Sequence, residues 1–298
     1  MYFDPKQKGR QTRGAYKNRS AKGKKNRTDS TRKPKNKNQD LVDIFKDTER
    51  YCQVNLKHDK RGENYLLTIE DIDENFKSVD LSVLPTYENN IVVRNEGSLQ
   101  AATGLTDCKT LILNFASDYM PGGGVRKGSR AQEEDLFRKT SYSMYLNLKN
   151  RKEFYPLSEN QMIETTNVKV FRGDDHRFLP EDEQFDADFL ALAAIRRPVT
   201  FMDEKGHERY DSSKDYELMR RKIESIFKLG ILDGHEALVL GALGCGAFRN
   251  PPYDVKDIFE KALEKYGKYF KIVRFAVLAR TATNINFDLF KTMTTQLP

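Results

Sequence analysis

No run of about eighteen consecutive apolar residues occurs in the 298-residue chain, so no membrane-spanning helix is expected. The opening residues, MYFDPKQKGR, lack the apolar core of a secretory signal, and the expected location is intracellular, in nucleus or cytoplasm. Cysteine is scarce: Cys52, Cys108 and Cys245 stand far apart, outside any CxxC pair. With four scattered histidines they offer no zinc spacing, so reduced thiols and no metal are expected. No segment recurs at a fixed period, which argues against a repeat architecture.

Aliphatic residues are nearly missing from one region. Residues 1–38 hold fourteen Lys and Arg against two acids, Asp4 and Asp29, a net +12. The other 37 bases and 42 acids give −5, so the overall +7 joins a basic tail to a mildly acidic body. A segment this polar cannot bury enough apolar surface to offset its ordering entropy, and 1–38 is expected to be disordered. Residues 6–37 suit a nuclear address, a non-specific contact with nucleic acid, or simply a solvated tail. Tyr2, Phe3 and Tyr16 are too few for a base-stacking surface. The remainder, 39–298, is expected to form one domain, as a monomer without membrane contact.

Within that domain, periodicity predicts a helix over 41–52, with Leu41, Ile44, Phe45 and Cys52 at helical spacing. YLLTI within 53–88 is a possible strand in an otherwise ambiguous stretch. Short apolar, β-branched runs predict strands at 91–94, 110–116, 168–171, 188–195, 236–243 and 272–279. Helices are predicted around SLQAATGL, over 130–148, over 213–229 ending before Gly230, and from Pro252 onward, with a closing turn at FDLFKTM. The inner face of 130–148 would carry Leu136, Phe137, Ser141, Met144, Tyr145 and Leu148. Strands alternating with helices define an α/β sandwich with a mostly parallel or mixed sheet.

In such folds ligands bind beyond the carboxyl ends of strands. TLILNFASDYMPGGGVRKG runs from a strand into Gly122, Gly123 and Gly124, whose bare backbone allows close approach and can cradle an anion. A flexible turn would account for the glycines equally well. Ser129 and Gln132 have the spacing of a capping box, which would place Glu133, Glu134 and Asp135 in a first helical turn where carboxylates favour the dipole. Glu133 and Glu134 point about 100° apart on a helix, so if both serve chemistry they must divide the work. GALGCGAFRNPP, 241–252, is a second glycine-rich loop between strand and helix, a candidate phosphate cradle. There Phe248 either packs on a sugar or base or plugs the loop from below.

LNFASDYMPGGGVRKGSRAQEEDLFRKTSYSMY resembles the core motif of the microbial-type poly(ADP-ribose) glycohydrolases, a branch of the macrodomain fold, with seven residues between the glycine run and Gln132-Glu133-Glu134. LVLGALGCGAFRNPPYDVKDIF resembles the diphosphate-binding loop and following helix of the same family. The resemblance implies a macrodomain-like α/β/α sandwich with a mixed sheet and an enzyme, needing no cofactor or metal, that releases ADP-ribose from poly(ADP-ribose). It makes Glu134 the general acid and base, gives Glu133 the ribose hydroxyls, and has Asn114 hold the terminal ribose. Gly122, Gly123, Gly124 and Gln132 would line the ribose site. Gly244, Cys245, Gly246, Ala247 and Phe248 would hold the diphosphate and neighbouring ribose. Partners would be the polymer or other ADP-ribosylated macromolecules. A mono-ADP-ribosyl hydrolase acting on protein or nucleic acid, and a non-catalytic ADP-ribose reader, are the alternative functions. The chain departs from the family at Arg196-Arg197-Pro198, where a proline-rich segment is common, and at Ala279-Arg280, where an acid is expected.

Overall fold

A computed structural model describes residues 37–88, 90–279 and 285–296. The predicted tail therefore lies outside the described residues except for Lys37 and Asn38, and Arg280 lies outside them too.

In chain order the helices are α1 (Lys37–Asn55), α2 (Ile69–Phe76), α3 (Ser98–Thr103), α4 (Gln132–Lys139), α5 (Tyr142–Tyr145), α6 (Arg151–Phe154), α7 (Ser213–Leu232), α8 (Pro252–Tyr266), α9 (Asn286–Lys291) and α10 (Met293–Gln296). The strands are β1 (Asn64–Thr68), β2 (Ile91–Arg94), β3 (Thr110–Phe115), β4 (Gln161–Val170), β5 (Phe185–Leu192), β6 (Thr200–Met202), β7 (Glu208–Tyr210), β8 (Ala237–Leu240) and β9 (Ile272–Ala276). Among the described residues, seven of these strands form one sheet in the order β1-β4-β5-β3-β8-β9-β2. The neighbours from β5 through β2 pair in parallel, and β4 runs antiparallel to both β5 and β1. The predicted mixed α/β sandwich is the observed one.

Alternation along the strands sorts the core into two layers. Leu111, Leu113, Leu190, Leu192, Leu238 and Leu240 face α2, α7 and α8. Ile112, Phe189, Ala191, Ala237 and Val239 face the layer that holds α1, α3, α4 and α5. Both faces of the parallel strands are thus covered, which is why their sequences read as continuous apolar runs rather than alternating ones. No helix among the described residues is long and apolar enough to cross a membrane.

The helix predicted over 41–52 spans Lys37–Asn55, and two others differ in extent for reasons the packing shows. The helix expected over 130–148 is broken: α4 stops at Lys139 because Thr140 turns extended (φ −137°, ψ 170°) and bridges to Val170 of β4. Tyr142 starts a separate short helix, and Leu148 lies exposed. The helix expected to end before Gly230 runs on to Leu232. There the glycine serves packing, since a Cβ on it would sit 2.9 Å from Phe270. Three features have no counterpart among the predicted ones: α2, announced by a capping box from Thr68 to Asp71, the single-turn α6, and the small β6–β7 hairpin.

Candidate active site

The loops after β3 and β8 leave the carboxyl ends of two strands that are hydrogen-bonded neighbours, with Thr110, Leu111 and Ile112 opposite Ala237, Leu238 and Val239. Segments more than a hundred residues apart are therefore set side by side. Between them lies a cleft of about 840 Å³ whose lining includes Gly123, Gly124, Glu133, Glu134, Gly244 and Phe248. That volume falls within the usual range for small-molecule sites.

The β3–β8 register ends at Ile112, and Gln132 takes over where it stops. Its side-chain amide mimics a further strand: Nε2 donates to Leu113 O at 2.7 Å and Oε1 accepts from Phe115 N at 2.9 Å. A second Nε2 bond, 3.1 Å to Ser98 Oγ, ties in α3. This clamp, rather than a capping box, fixes the start of α4. The expected cap is corrected here: the residue before the helix is Ala131, with no side-chain cap, and Ser129 packs against Gly124 instead.

Released from a cap, the first turn of α4 sends both glutamates back onto the glycine loop. Glu133 Oε2 accepts from Ser117 N at 2.8 Å and its Oε1 from Gly122 N at 3.1 Å. Glu134 Oε1 accepts from Gly124 N at 2.8 Å, while its Oε2 is buried with no hydrogen-bond partner among the described residues. Gly123 lies between the two carboxylates with φ +48°; a Cβ there would stand 2.7 Å from Glu134 Oε1 and 3.0 Å from Glu133 Oε2. The two differ in their bonding: Glu133 has both oxygens engaged by the loop, and Glu134 has one left over.

Burial pushes the Glu133 carboxyl up to about 8; the Ser117 N–H opposes this and the neighbouring Glu134 charge adds to it. The raised value makes the protonated folded form a source of stability that is full below the ordinary value of 4.5 and lost as pH rises through about 8. Between those limits the wild type is expected to lose up to about 1.4 kcal/mol of stability per pH unit through this group. Urea denaturation at a series of pH values should give a shallower decline for Glu133→Gln than for wild type.

Asn114, expected at the ribose, is fully buried and does not line the cleft. It faces away from the leucine layer, with Nδ2 3.5 Å from Tyr142 Oη and the amide also close to Glu133, so it supports that carboxylate from beneath. Gly122 likewise stays below the surface, against Phe137.

In the second loop the N–H groups of Gly244, Gly246, Ala247 and Phe248 donate to no acceptor among the described residues, although their neighbours Cys245 and Arg249 donate within the loop. Successive N–H groups without an acceptor are what an anion-binding loop requires. Asn250, not anticipated from sequence, holds the loop in shape: its amide donates to Ile195 O at 2.7 Å and accepts from Tyr210 Oη at 2.8 Å, and its N–H bonds Gly244 O at 3.0 Å. Gly244 adopts φ +75°, and a Cβ there would press on Ala194 and Asn250 at 2.5 Å. The Cys245 thiol is a correction to the expected binding set. It packs toward the α7–α8 core, where burial raises it, and only its backbone belongs to the loop.

Phe248 carries Arg196 stacked 4.6 Å from its ring centre, and Arg196 also pairs with Asp118, holding that carboxyl below its usual value. The arginine that marked a departure from the family thus sits on the rim of the cleft. Asp118 and Asn286, also on the lining, carried no sequence signal.

Residues 20–173, just over half of the chain, match the family model for the catalytic domain of microbial-type poly(ADP-ribose) glycohydrolase (PARG). The chain belongs to that family and is a glycohydrolase. The match includes the glycine run and both glutamates and ends before the 241–252 loop, which the fold supplies. The poly(ADP-ribose) glycohydrolase of Thermomonospora curvata is 24% identical, covers 86% of this chain and 99% of its own, and superposes with a TM-score of 0.71. The same enzyme bound to the inhibitor ADP-HPD gives 0.68, over 85% of this chain and 98% of its own at the same identity. The Deinococcus radiodurans enzyme in complex with ADP-ribose gives 0.65 at 24% identity, over 78% of this chain and 94% of its own. These likenesses speak for the fold. No curated protein matches the sequence.

Proposed function

We propose that Glu134 is the general acid and base with which this hydrolase cuts the ribose–ribose O-glycosidic bonds of poly(ADP-ribose) and releases ADP-ribose. One observation carries the assignment: Glu134 lines the cleft and keeps a buried carboxylate oxygen without a partner, an arrangement that costs stability unless a ligand completes it. Glu134 delivers a proton to the departing ribose oxygen as positive charge develops at the anomeric carbon. It then takes a proton from the water that attacks there. Glu133 orients the ribose indirectly, by fixing Ser117 and Gly122 in the loop that closes on it. The N–H groups of 244–248 take the diphosphate, and Phe248 with its stacked Arg196 packs on the adjoining ribose.

Labelled polymer incubated with the wild type should yield ADP-ribose, and absence of release would defeat the reading. Mono-ADP-ribosylated protein and DNA assayed in parallel distinguish the polymer from smaller substrates. Tight ADP-ribose binding without turnover on any of them would mark a reader instead.

The basic residues 6–37 are assigned a non-specific contact with polyanions, and the catalytic part acts as a monomer. Removing residues 1–36 is expected to leave release from free polymer unchanged. The same truncation should abolish binding to duplex DNA, a binding that in the full chain weakens steeply with salt. A gel-shift titration at two salt concentrations checks both arms.

A further inference from the structure

A second polar cluster lies at the opposite end of the sheet. On the leucine-bearing face of β4 and β5, the apolar rows Met162 and Leu192–Leu190 are continued by Glu164 and Asp188, diagonal neighbours across the strand pair. His235, in the turn between α7 and β8, completes the group. We propose that Glu164, Asp188 and His235 form a divalent-metal site of the zinc class, which pins β4, β5 and the α7–β8 turn together.

One ligand atom from each residue lies within 4.8 Å of the others, close enough for small side-chain rotations to close around a single ion. His235 Nε2 stands 3.0 Å from Asp188 Oδ2 and 3.9 Å from Glu164 Oε1. All three residues are buried, at 4%, 6% and 5% exposure for His235, Asp188 and Glu164. Glu164 Oε1, the oxygen that faces the imidazole, has no hydrogen-bond partner among the described residues. Two carboxylates buried against each other, with Asp233 beside Glu164 and one imidazole between them, make a setting in which a cation is stabilised. A nitrogen with two carboxylate oxygens is a donor set that zinc, manganese and iron accept.

The surroundings are built to hold this geometry. The register of β4 against β5 slips between Thr165 and Val168, and in the bulge Asn167 takes φ +52°. Its N–H then donates to Asp188 Oδ1 at 2.8 Å, leaving Oδ2 turned toward His235. Such support behind a ligating carboxylate is what a metal centre requires. His235 is anchored by its own N–H, 2.8 Å from Gly230 O. The competing cation, Lys109, donates to Asp233 O at 2.8 Å and keeps its Nζ 3.8 Å from Asp188 Oδ2, beyond hydrogen-bond reach. An adjoining hollow of about 480 Å³, lined by Asp188, Asn167, Lys109 and Cys108, gives an ion its route in.

Asp188 lies midway along β5 and the cleft-lining Ala194 two residues past its end, so roughly 20 Å at strand spacing separates this site from the cleft. The proposal stands apart from the glycohydrolase reading, and its test reads metal binding rather than turnover. Zinc chloride is titrated into the full chain by calorimetry, with wild type, Glu164→Gln and Asp188→Asn side by side, and melting is followed with and without zinc. Wild type is expected to bind one equivalent that both variants lose. Zinc at about a hundredfold over its dissociation constant should raise the wild-type Tm by roughly 5 °C and leave the variants unmoved. Without zinc, Glu164→Gln should melt no lower than wild type, since the amide keeps the shape of the side chain and removes its repulsion by Asp188 and Asp233. An unchanged isotherm in both variants, or no wild-type binding up to about 1 mM zinc, overturns the proposal.

Discussion

Glu134→Gln is expected to lower ADP-ribose release from labelled polymer by at least ~10²-fold while leaving the protein folded and able to bind ADP-ribose. The substitution keeps the shape of the side chain and the oxygen that accepts from Gly124 N, so the loop stays in place. What changes is the second oxygen, now an amide NH2 that can neither deliver the proton to the leaving ribose nor accept one from water. Turnover should fall in kcat, with ADP-ribose affinity by calorimetry held within a few-fold of wild type. A variant that turns over at wild-type rate would move the acid–base work elsewhere in the cleft. Glu133 is a poor substitute, because both of its oxygens already accept backbone N–H groups.

Gly123→Ala should be nearly as damaging without touching a titratable group. The added methyl would stand 2.7 Å from Glu134 Oε1 and 3.0 Å from Glu133 Oε2, and the backbone at φ +48° disfavours any residue with a β-carbon. The left-handed conformation alone costs about 1–2 kcal/mol for an alanine. Pushing the carboxylates off the loop by even about 1 Å is enough to lose ~10² in rate. The expected result is a lower melting temperature together with at least that loss of activity. Wild-type kinetics would show that the glycines serve chain flexibility and not the approach of the two acids.

Much of this arrangement is legible in the amino-acid sequence. The parallel strands announce themselves because burial on both faces leaves short, uninterrupted apolar runs such as TLILNF and ALVL. The paired acids and the glycine run stand out because their residue types are unusual at that spacing. What the sequence hides depends on partners distant along the chain. Gln132 has the spacing of a capping box, and only the point where β8 stops pairing with β3 reveals it as a surrogate strand. Asn114 is expected at the ribose only through the family resemblance; its place one layer below the cleft follows from the direction of alternation. The break after Lys139 is concealed because the residues around Thr140 keep helical spacing, and the bridge to Val170 outweighs it. Arg196 stands out in the sequence only as a departure from the family pattern. Its stacking on Phe248 needs the 241–252 loop folded beside it.

If Glu134 is the acid and base, one of its carboxylate oxygens meets the terminal ribose at the bond to be cut. A crystal structure of the chain soaked with ADP-ribose measures this directly. Glu134 Oε2 is expected about 2.6–3.2 Å from the oxygen on the anomeric carbon of the terminal ribose, with the diphosphate on the N–H groups of 244–248. A nucleotide seated elsewhere, or a Glu134 side chain turned out to bulk water with its ligand in place, would contradict it.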